Sequence, residues 1–187
     1  MSGAGKTTVS EVFNSCDFEV INCDKIAREV TEKGTACLKE IAEKFEGVLN
    51  PDGTLDRKKL GSIVFNDKEK LQLLNDTIYP FISYKVIKRI ENTDNNYILL
   101  DAPTLFESGI DFICNGVVSV VCDKELSIKR IMARDNISEE AAKSRLSSQH
   151  DKSFYKERSS ICIENNGAVD DLKIAAEKTA RQIKRGI

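Results

Sequence analysis

A glycine, a lysine and a threonine near the start of the chain form a pattern that can bind phosphate. Gly5-Lys6-Thr7 matches the second half of the motif G-x-x-x-x-G-K-[ST], and an amphipathic helical segment follows directly. Backbone N–H groups at the start of a helix bind phosphate oxygens, and the helix dipole adds a favourable field. In this pattern Lys6 reaches the β- and γ-phosphates of a nucleotide, and Thr7 offers its hydroxyl to Mg²⁺. The three residues therefore predict a nucleotide-phosphate site.

The phosphate motif is incomplete on its N-terminal side. Its first glycine would lie directly before Met1, and no strand precedes the loop, although a P-loop joins a central parallel strand to its helix. We therefore expect in-frame codons just upstream to encode a short β-branched, apolar strand, then Thr or Ser and a glycine. The 187-residue form alone is expected to melt below the extended form and to bind ATP weakly.

Two aspartates lie where apolar segments predicted as strands end. Asp24 follows the segment 18–21, and Asp101 closes the run 97–101. Because ligands in parallel α/β sheets bind at the carboxyl ends of strands, both could serve chemistry. Asp24 could instead cap the helix that follows it, and Asp101 could be a turn residue before Pro103.

Three arginines in a later helical region could neutralise charge on a phosphoryl group in transfer. Arg130 and Arg134 are four residues apart and so share one helix face, and Arg145 follows in the next helical segment. The alternative is a solvated helix face. We favour Arg134 over Arg130, with Arg145 third.

Alternating strand and helix signals must position these residues. Continuous apolar runs at 97–101 and 117–122 are typical of parallel strands buried on both faces. Shorter strands are predicted at 18–21 and 161–163, and helices at 6–16, over most of 25–92, and at 124–134, 138–149 and 169–185. Pro80 is expected to open a helix that ends at Arg89. The order predicts an α/β fold with a mostly parallel sheet.

Composition narrows the class of partner. The 187 residues are 41% hydrophobic and 31% charged, enough for one well-packed domain. A net charge of −2 without a basic stripe argues against nucleic-acid binding. The longest apolar stretch, 116–122, is too short to cross a bilayer, and no signal peptide opens the chain. Six scattered cysteines without a CxxC pair, and a single histidine, His150, argue against zinc and disulfides. We expect a cytosolic protein, and the sequence leaves its oligomeric state open.

Six segments in order along the chain resemble the dephospho-coenzyme A kinase family. They are residues 3–10, 20–30, 52–65, 99–107, 130–149 and 163–167. Two departures from the family's pattern stand out. Asn22 takes the place of an acid, which removes a negative charge near the site. Tyr79-Pro80 stands where the family has His-Pro, which puts a substrate contact by that histidine in doubt.

The resemblance implies a fold and a reaction. The fold is a P-loop NTPase-type parallel sheet flanked by helices, in a single kinase domain over residues 1–187. A helical substrate-binding insertion is expected at about 25–93 and a helical lid at about 124–158. The reaction is phosphorylation of the ribose 3′-hydroxyl of dephospho-coenzyme A by ATP with Mg²⁺, the last step of coenzyme A synthesis.

The resemblance also implies residue roles. Asp24 would accept the proton of the attacking hydroxyl, with Lys6 and Arg134 as the other catalytic residues. Thr7 and Asp101 would serve the metal, and Arg28 and Arg57 are candidates for the substrate's phosphates. The residues expected to contact ATP are Gly3, Ala4, Gly5, Lys6, Thr7, Thr8, Arg134 and Asn165. For Asn165 the contact would be with adenine, unless it only forms a turn beside Asn166-Gly167.

Other functions remain possible at this point. A kinase of the same architecture could use a different acceptor, such as a nucleoside monophosphate or shikimate, and the chain as given could be folded but inert. A regulatory GTPase is disfavoured, because neither Asp-x-x-Gly nor Asn-Lys-x-Asp occurs in the sequence.

Overall fold

The computed structural model describes residues 1–65 and 67–186. Helices and short strands alternate along the chain, and the chain divides into two compact units. The first unit comprises Met1–Val20, Asn95–Leu99 and the chain from Asp111 onward, and the second comprises Ile21–Asp94 and Leu100–Ile110. No helix in the described part of the chain is both long and apolar enough to cross a membrane.

The first unit contains the predicted phosphate loop. Its elements are α1 (Lys6–Ser15), β3 (Val118–Val121), α6 (Lys124–Asp135), α7 (Glu139–Ser147), α8 (Lys152–Arg158), β4 (Ile161–Glu164) and α9 (Val169–Lys184). Strands β3 and β4 are parallel, with Val118 opposite Ile161 and Val121 opposite Glu164. Apolar side chains of the loop, α1, β3, β4 and α9 form one core, in which Phe13 and Ala176 are fully buried. The loop is thereby fixed to a packed helix-and-strand layer.

The second unit is mainly helical. It contains α2 (Cys23–Val30), α3 (Ala36–Lys44), α4 (Arg57–Val64) and α5 (Lys68–Glu91). Side-chain oxygens cap each of these helices at its N-terminus, from Asn22, Thr35, Asp56 and Asp67 respectively. A turn at 50–53, with a hydrogen bond from the Gly53 N–H to the Asn50 carbonyl oxygen at 2.9 Å, is closed by a bridge between Leu49 and Leu55. The prediction that most of residues 25–92 are helical is confirmed.

Strands β1 (Glu19–Asn22) and β2 (Ile98–Asp101) pair with each other. Each strand begins in the first unit and ends in the second. The predicted class, parallel strands flanked by helices, is confirmed. In the described chain the four strands form two pairs, β1 with β2 and β3 with β4.

The prediction that Pro80 opens a helix is wrong. Pro80 lies inside α5, a single helix of 24 residues. The Glu29 carboxylate of α2 pairs with Lys85 at 2.7 Å and with Arg89 at 2.9 Å, so the part of α5 beyond the proline is held against α2. These tertiary contacts offset the hydrogen bond that a proline removes from a helix interior.

Helix α8 was not predicted from the sequence. It has seven residues, of which Tyr155 is buried, so it lacks an apolar period. Lys152 and Lys156 pair with Glu164 of β4 at 2.9 and 2.6 Å, and their hydrogen bonds lower the pKa of Glu164 to about 2. These ion pairs join α8 to the strand, and Tyr155 is the buried residue of the helix.

Candidate active site

The loop before α1 has a backbone that requires glycine at two positions. Gly3 and Gly5 have φ angles of 72° and 99°, in the left-handed region. A Cβ on Gly3 would lie 2.8 Å from the carbonyl oxygen of Ser127. A Cβ on Gly5 would lie 2.7 Å from both Asn165 Nδ2 and Leu172 Cδ2. Neither position can accept a side chain without displacing its neighbours.

Side chains that are remote in sequence hold this loop. The Asn165 amide donates a buried hydrogen bond of 2.7 Å from Nδ2 to the carbonyl oxygen of Ala4. Asn165 is 6% exposed and Ala4 is fully buried. Gln149 accepts from the Ser2 backbone N–H at 2.8 Å and donates to the Ser2 hydroxyl at 2.8 Å. Neither anchoring role was predicted from the sequence, because hydrogen bonds between distant residues leave no local pattern.

The start of α1 has the chemistry of an anion site. Its first turn reads Lys6-Thr7-Thr8-Val9, with one cation and no carboxylate. Gly5 caps the helix in the left-handed conformation, so the loop turns directly into α1. The helix dipole and the Lys6 ammonium both favour negative charge there. Thr7 is exposed at this end. The arrangement suits the phosphates of a nucleotide.

The three arginines separate into two groups. Arg130 donates to the carbonyl oxygens of Asn165 at 3.0 Å and Gly167 at 3.3 Å, so it contacts the segment that anchors the loop. Arg134 and Arg145 both pair with Asp135, and the Arg134 Nε–Oδ1 distance is 2.7 Å. Hydrogen bonding from Arg134, with the nearby charge of Arg145, lowers the pKa of Asp135. Arg130 rather than Arg134 therefore lies beside Asn165.

In the second unit, Asn22 rather than Asp24 caps α2. The Asn22 Oδ1 atom accepts from the Lys25 backbone N–H at 2.8 Å, and Asp24 lies within the first turn. The alternative interpretation of Asp24 as the helix cap is therefore wrong. Asn22 Nδ2 also donates to Asp101 Oδ2 at 3.4 Å. Asp101 is the last residue of β2 and is 7% exposed, so it is not a turn residue.

Asp24 lines a pocket of about 450 Å³ in the second unit. Most of the lining is apolar, from α2, α4, α5 and the segment after β2. Tyr79 lies in this lining, and burial raises the pKa of its phenol, which also hydrogen-bonds with Thr104. Arg57 lines the pocket, whereas Arg28 is not among the described lining residues. The tyrosine at the family's histidine position thus lies in the pocket wall.

The predicted site residues fall into two sets. The loop residues 3–8 share the first unit with Asn165 and the three arginines, and Asp24 and Asp101 belong to the second. Among the described residues, no three His, Cys, Asp or Glu side chains cluster closely enough to hold a metal ion by themselves. The first set has the features of a nucleotide-phosphate site, and the second has a carboxylate at an apolar pocket.

The loop has glycines at its two left-handed positions and lies at the start of a helix, in an α/β layer with parallel strands. These features define a P-loop nucleotide-binding protein. The sequence model of the dephospho-CoA kinase family matches residues 2–171. The chain therefore belongs to the dephospho-CoA kinase family, and it is an enzyme that transfers phosphate from ATP. The family predicted from the six sequence segments is confirmed.

Individual relatives agree with this assignment. The dephospho-CoA kinase of Lactobacillus johnsonii is 33% identical, in an alignment that covers 97% of this chain and 94% of the relative. That of Arabidopsis thaliana is 36% identical, covering 97% and 80%. The structure of the Campylobacter jejuni dephospho-CoA kinase superposes with a TM-score of 0.71 at 34% identity, covering 97% and 92%. A Thermus thermophilus protein superposes with a TM-score of 0.84 at 26% identity, covering 97% and 93%.

The bond from Asn165 to the loop generates a prediction. Asn165→Ala leaves the buried Ala4 carbonyl without its amide donor, which costs on the order of 1–3 kcal/mol. We expect the Kd for ADP, measured by calorimetry, to rise roughly tenfold. Asn166→Ala is the matched control. The Asn166 Oδ1 atom accepts from the Asp123 backbone N–H and does not contact the loop carbonyl, so this variant should leave the Kd for ADP unchanged.

Inorganic tripolyphosphate separates loop anchoring from adenine contact. If Asn165 acts through the loop, Asn165→Ala weakens ADP and tripolyphosphate by the same factor. A loss confined to ADP would assign Asn165 to adenine instead, and unchanged affinity for both ligands would remove it from the site.

Proposed function

We propose that this enzyme phosphorylates the ribose 3′-hydroxyl of dephospho-coenzyme A with ATP, giving coenzyme A and ADP. The observation that carries the proposal is the match of the dephospho-CoA kinase family over residues 2–171. The loop geometry and the apolar pocket support it, because the reaction needs one site for a triphosphate and one for a largely extended acceptor. The enzyme would thus complete coenzyme A synthesis.

ATP binding is assigned to the first unit. The N–H groups of residues 3–8 would bind phosphate oxygens, and Lys6 would contact the β- and γ-phosphates. The lid, at about 124–158, would supply Arg134 to the phosphoryl group in transfer. The pairing of Arg134 with Asp135 supports this role, since the guanidinium already binds one anion and can exchange a carboxylate for a phosphate.

The acceptor is assigned to the helical insertion at about 25–93. Its pocket of about 450 Å³ is mostly apolar, as the pantetheine arm requires. Asp24 is exposed at this pocket, where its carboxylate would accept the proton of the 3′-hydroxyl. The hydroxyl oxygen then forms a bond to the γ-phosphorus as the bond to the β–γ bridging oxygen breaks, and ADP leaves.

Mg²⁺ is assigned to Thr7 and Asp101. Thr7 would offer its hydroxyl to the ion and Asp101 would hold a water bound to it, because Mg²⁺ prefers oxygen ligands and keeps several waters. Asp101 is 7% exposed, and the Asn22 amide donates to its Oδ2 atom at 3.4 Å, which helps to hold the carboxylate in place. Bound Mg²⁺ would neutralise charge on the phosphates. A cytosolic location is also proposed, supported by six cysteines without disulfide spacing.

A coupled assay tests the reaction. With ATP and Mg²⁺, the purified protein should release ADP in the presence of dephospho-coenzyme A. The other product should be coenzyme A, with the new phosphate on the ribose 3′ oxygen. AMP and shikimate serve as competing acceptors. Turnover with either one but not with dephospho-coenzyme A would refute the proposed acceptor while leaving the kinase class intact.

Asp24→Asn tests the proton acceptor. The amide cannot accept the proton, and general-base catalysis typically supplies ~10²–10⁴-fold. We expect kcat to fall by about that factor, with a smaller change in KM. Lys25→Gln, which alters charge at the next residue of the same helix turn, is the control. A kcat close to that of the parent enzyme would show that Asp24 is not the base.

Arg134→Ala tests the lid. An arginine that acts on the transition state should lower kcat by about 10²–10³. The Kd for ADP should stay within about twofold, because a ground-state phosphate would only replace Asp135 as the partner of this side chain. Lys129→Ala, an exposed cation in the same helix, controls for charge. Equal losses in ADP affinity and in rate would indicate uniform nucleotide binding.

A further inference from the structure

The phosphate loop contacts α6, α7 and the segment after α7 through three successive residues. Met1 packs against the apolar cluster that joins α6 to α7. Ser2 makes two hydrogen bonds with Gln149, which lies two residues after the end of α7. Gly3 lies so close to α6 that a Cβ on it would be 2.8 Å from the Ser127 carbonyl oxygen. The loop therefore touches the same helices that carry the candidate lid arginines.

The pair of Ser2 and Gln149 is the polar and directional one of these contacts. Its two hydrogen bonds both measure 2.8 Å and join residues 147 positions apart. The side-chain amide accepts from the Ser2 backbone N–H through Oε1 and donates to the Ser2 hydroxyl through Nε2. Two bonds of opposite direction to one residue fix the orientation of an amide as well as its distance. The pair therefore holds the end of α7 at a defined position relative to the loop.

The segment around Gln149 is itself fixed to both α7 and α8. The Gln149 backbone N–H donates to the Leu146 carbonyl oxygen at 3.2 Å. The His150 ring stacks on the Phe154 ring of α8, with the centroids 3.6 Å apart. Asp151 caps α8 by accepting from the Phe154 backbone N–H at 2.9 Å. A shift of Gln149 would therefore displace the adjoining ends of both helices.

Helix α7 is joined in turn to the arginine that we assign to the phosphoryl group. Arg145 of α7 and Arg134 of α6 share the carboxylate of Asp135. An apolar cluster with two fully buried residues also packs the two helices together. The contacts thus continue from Gln149 through α7 to Arg134, all within the first unit.

We infer that Gln149 is a positioning residue for phosphoryl transfer, which fixes α7 and through it Arg134 relative to the phosphate loop. The loop binds the phosphates, so an arginine acts on them only if its helix keeps a fixed distance from the loop. Misplacement of a reacting or catalytic group by about 1 Å can lower a rate about 100-fold. This inference rests on the proposed function, because it takes Arg134 as the residue that acts on the phosphoryl group.

Gln149→Ala tests the positioning. We expect kcat with ATP and dephospho-coenzyme A to fall about 10–100-fold, because α7 loses its two bonds to the loop. The Kd for ADP and the Kd for tripolyphosphate should stay within about threefold, since Ser2 lies before the residues 3–8 that are assigned to the phosphates. Ser147→Ala is the matched control and should leave kcat unchanged, because this exposed hydroxyl bonds to the Ser144 carbonyl oxygen inside α7. An unchanged kcat in Gln149→Ala overturns the inference. Equal losses in kcat and in phosphate affinity overturn it too, since Gln149 would then only anchor the loop.

Double variants show whether Gln149 acts through Arg134. In the Arg134→Ala background, Gln149→Ala should lower kcat by less than about twofold, because the group that it places is absent. Ser2→Ala removes one of the two bonds and should lower kcat about 2–5-fold, and Ser2→Thr, which keeps the hydroxyl, should restore the parent value. Ser2→Ala should add almost nothing to Gln149→Ala. Additive losses in either pair would show that the residues act independently, against the inference.

A transition-state mimic separates this inference from the identity of the acceptor. Aluminium fluoride, added with ADP and Mg²⁺, stands in for the phosphoryl group in transfer, so tighter binding of ADP in its presence reports on Arg134 without turnover. Gln149→Ala should lose about tenfold or more of that gain while it binds ADP alone normally. This result supports the inference even if dephospho-coenzyme A is not phosphorylated, in which case the proposed acceptor alone fails. A full gain in Gln149→Ala overturns the inference alone, and no gain in the parent protein overturns both the inference and the role of Arg134.

Discussion

The hydrogen bond from the Asn165 amide to the Ala4 carbonyl is the contact on which the nucleotide site depends. Ala4 is fully buried between two glycines with left-handed φ angles, and its carbonyl oxygen accepts the buried hydrogen bond from Asn165. A buried carbonyl without a donor would cost on the order of 1–3 kcal/mol, enough to reshape a short loop. Because Asn165 directly follows β4, the register of that strand against β3 also sets the position of the loop.

Much of this organisation could be predicted from local sequence. The glycine-lysine-threonine pattern and the amphipathic segment after it predict α1, and continuous apolar runs predict β2 and β3. The caps at Asp56 and Asp67 are predictable from sequence, because a side-chain oxygen before a helix is a local signal. The resemblance to a family also predicts the reaction, which the spacing of residues alone does not.

The errors and omissions share one physical origin, which is that long-range contacts override local preference. Pro80 favours a helix start, but ion pairs from Glu29 carry α5 through it. Helix α8 has too few apolar residues for a period, and it is held through lysines paired with Glu164. Asp24 resembles a cap, but Asn22, two residues earlier, makes the capping bond. The contact of Thr31 with Arg57 spans 26 residues, and no sequence pattern indicates it.

The arginines differ in the charge of their hydrogen-bond partners. Arg57 and Arg130 donate to neutral oxygens, a hydroxyl and backbone carbonyls, so these bonds do not offset their positive charge. Arg134 and Arg145 instead share the carboxylate of Asp135, and a phosphate must displace that partner. When a phosphate replaces the Asp135 carboxylate in the ground state, the free energy of binding changes little. The interaction becomes more favourable when charge accumulates on the phosphoryl oxygens, because the developing charge then exceeds what the carboxylate offers. An arginine that pairs with a carboxylate therefore suits the transition-state role that we propose for Arg134.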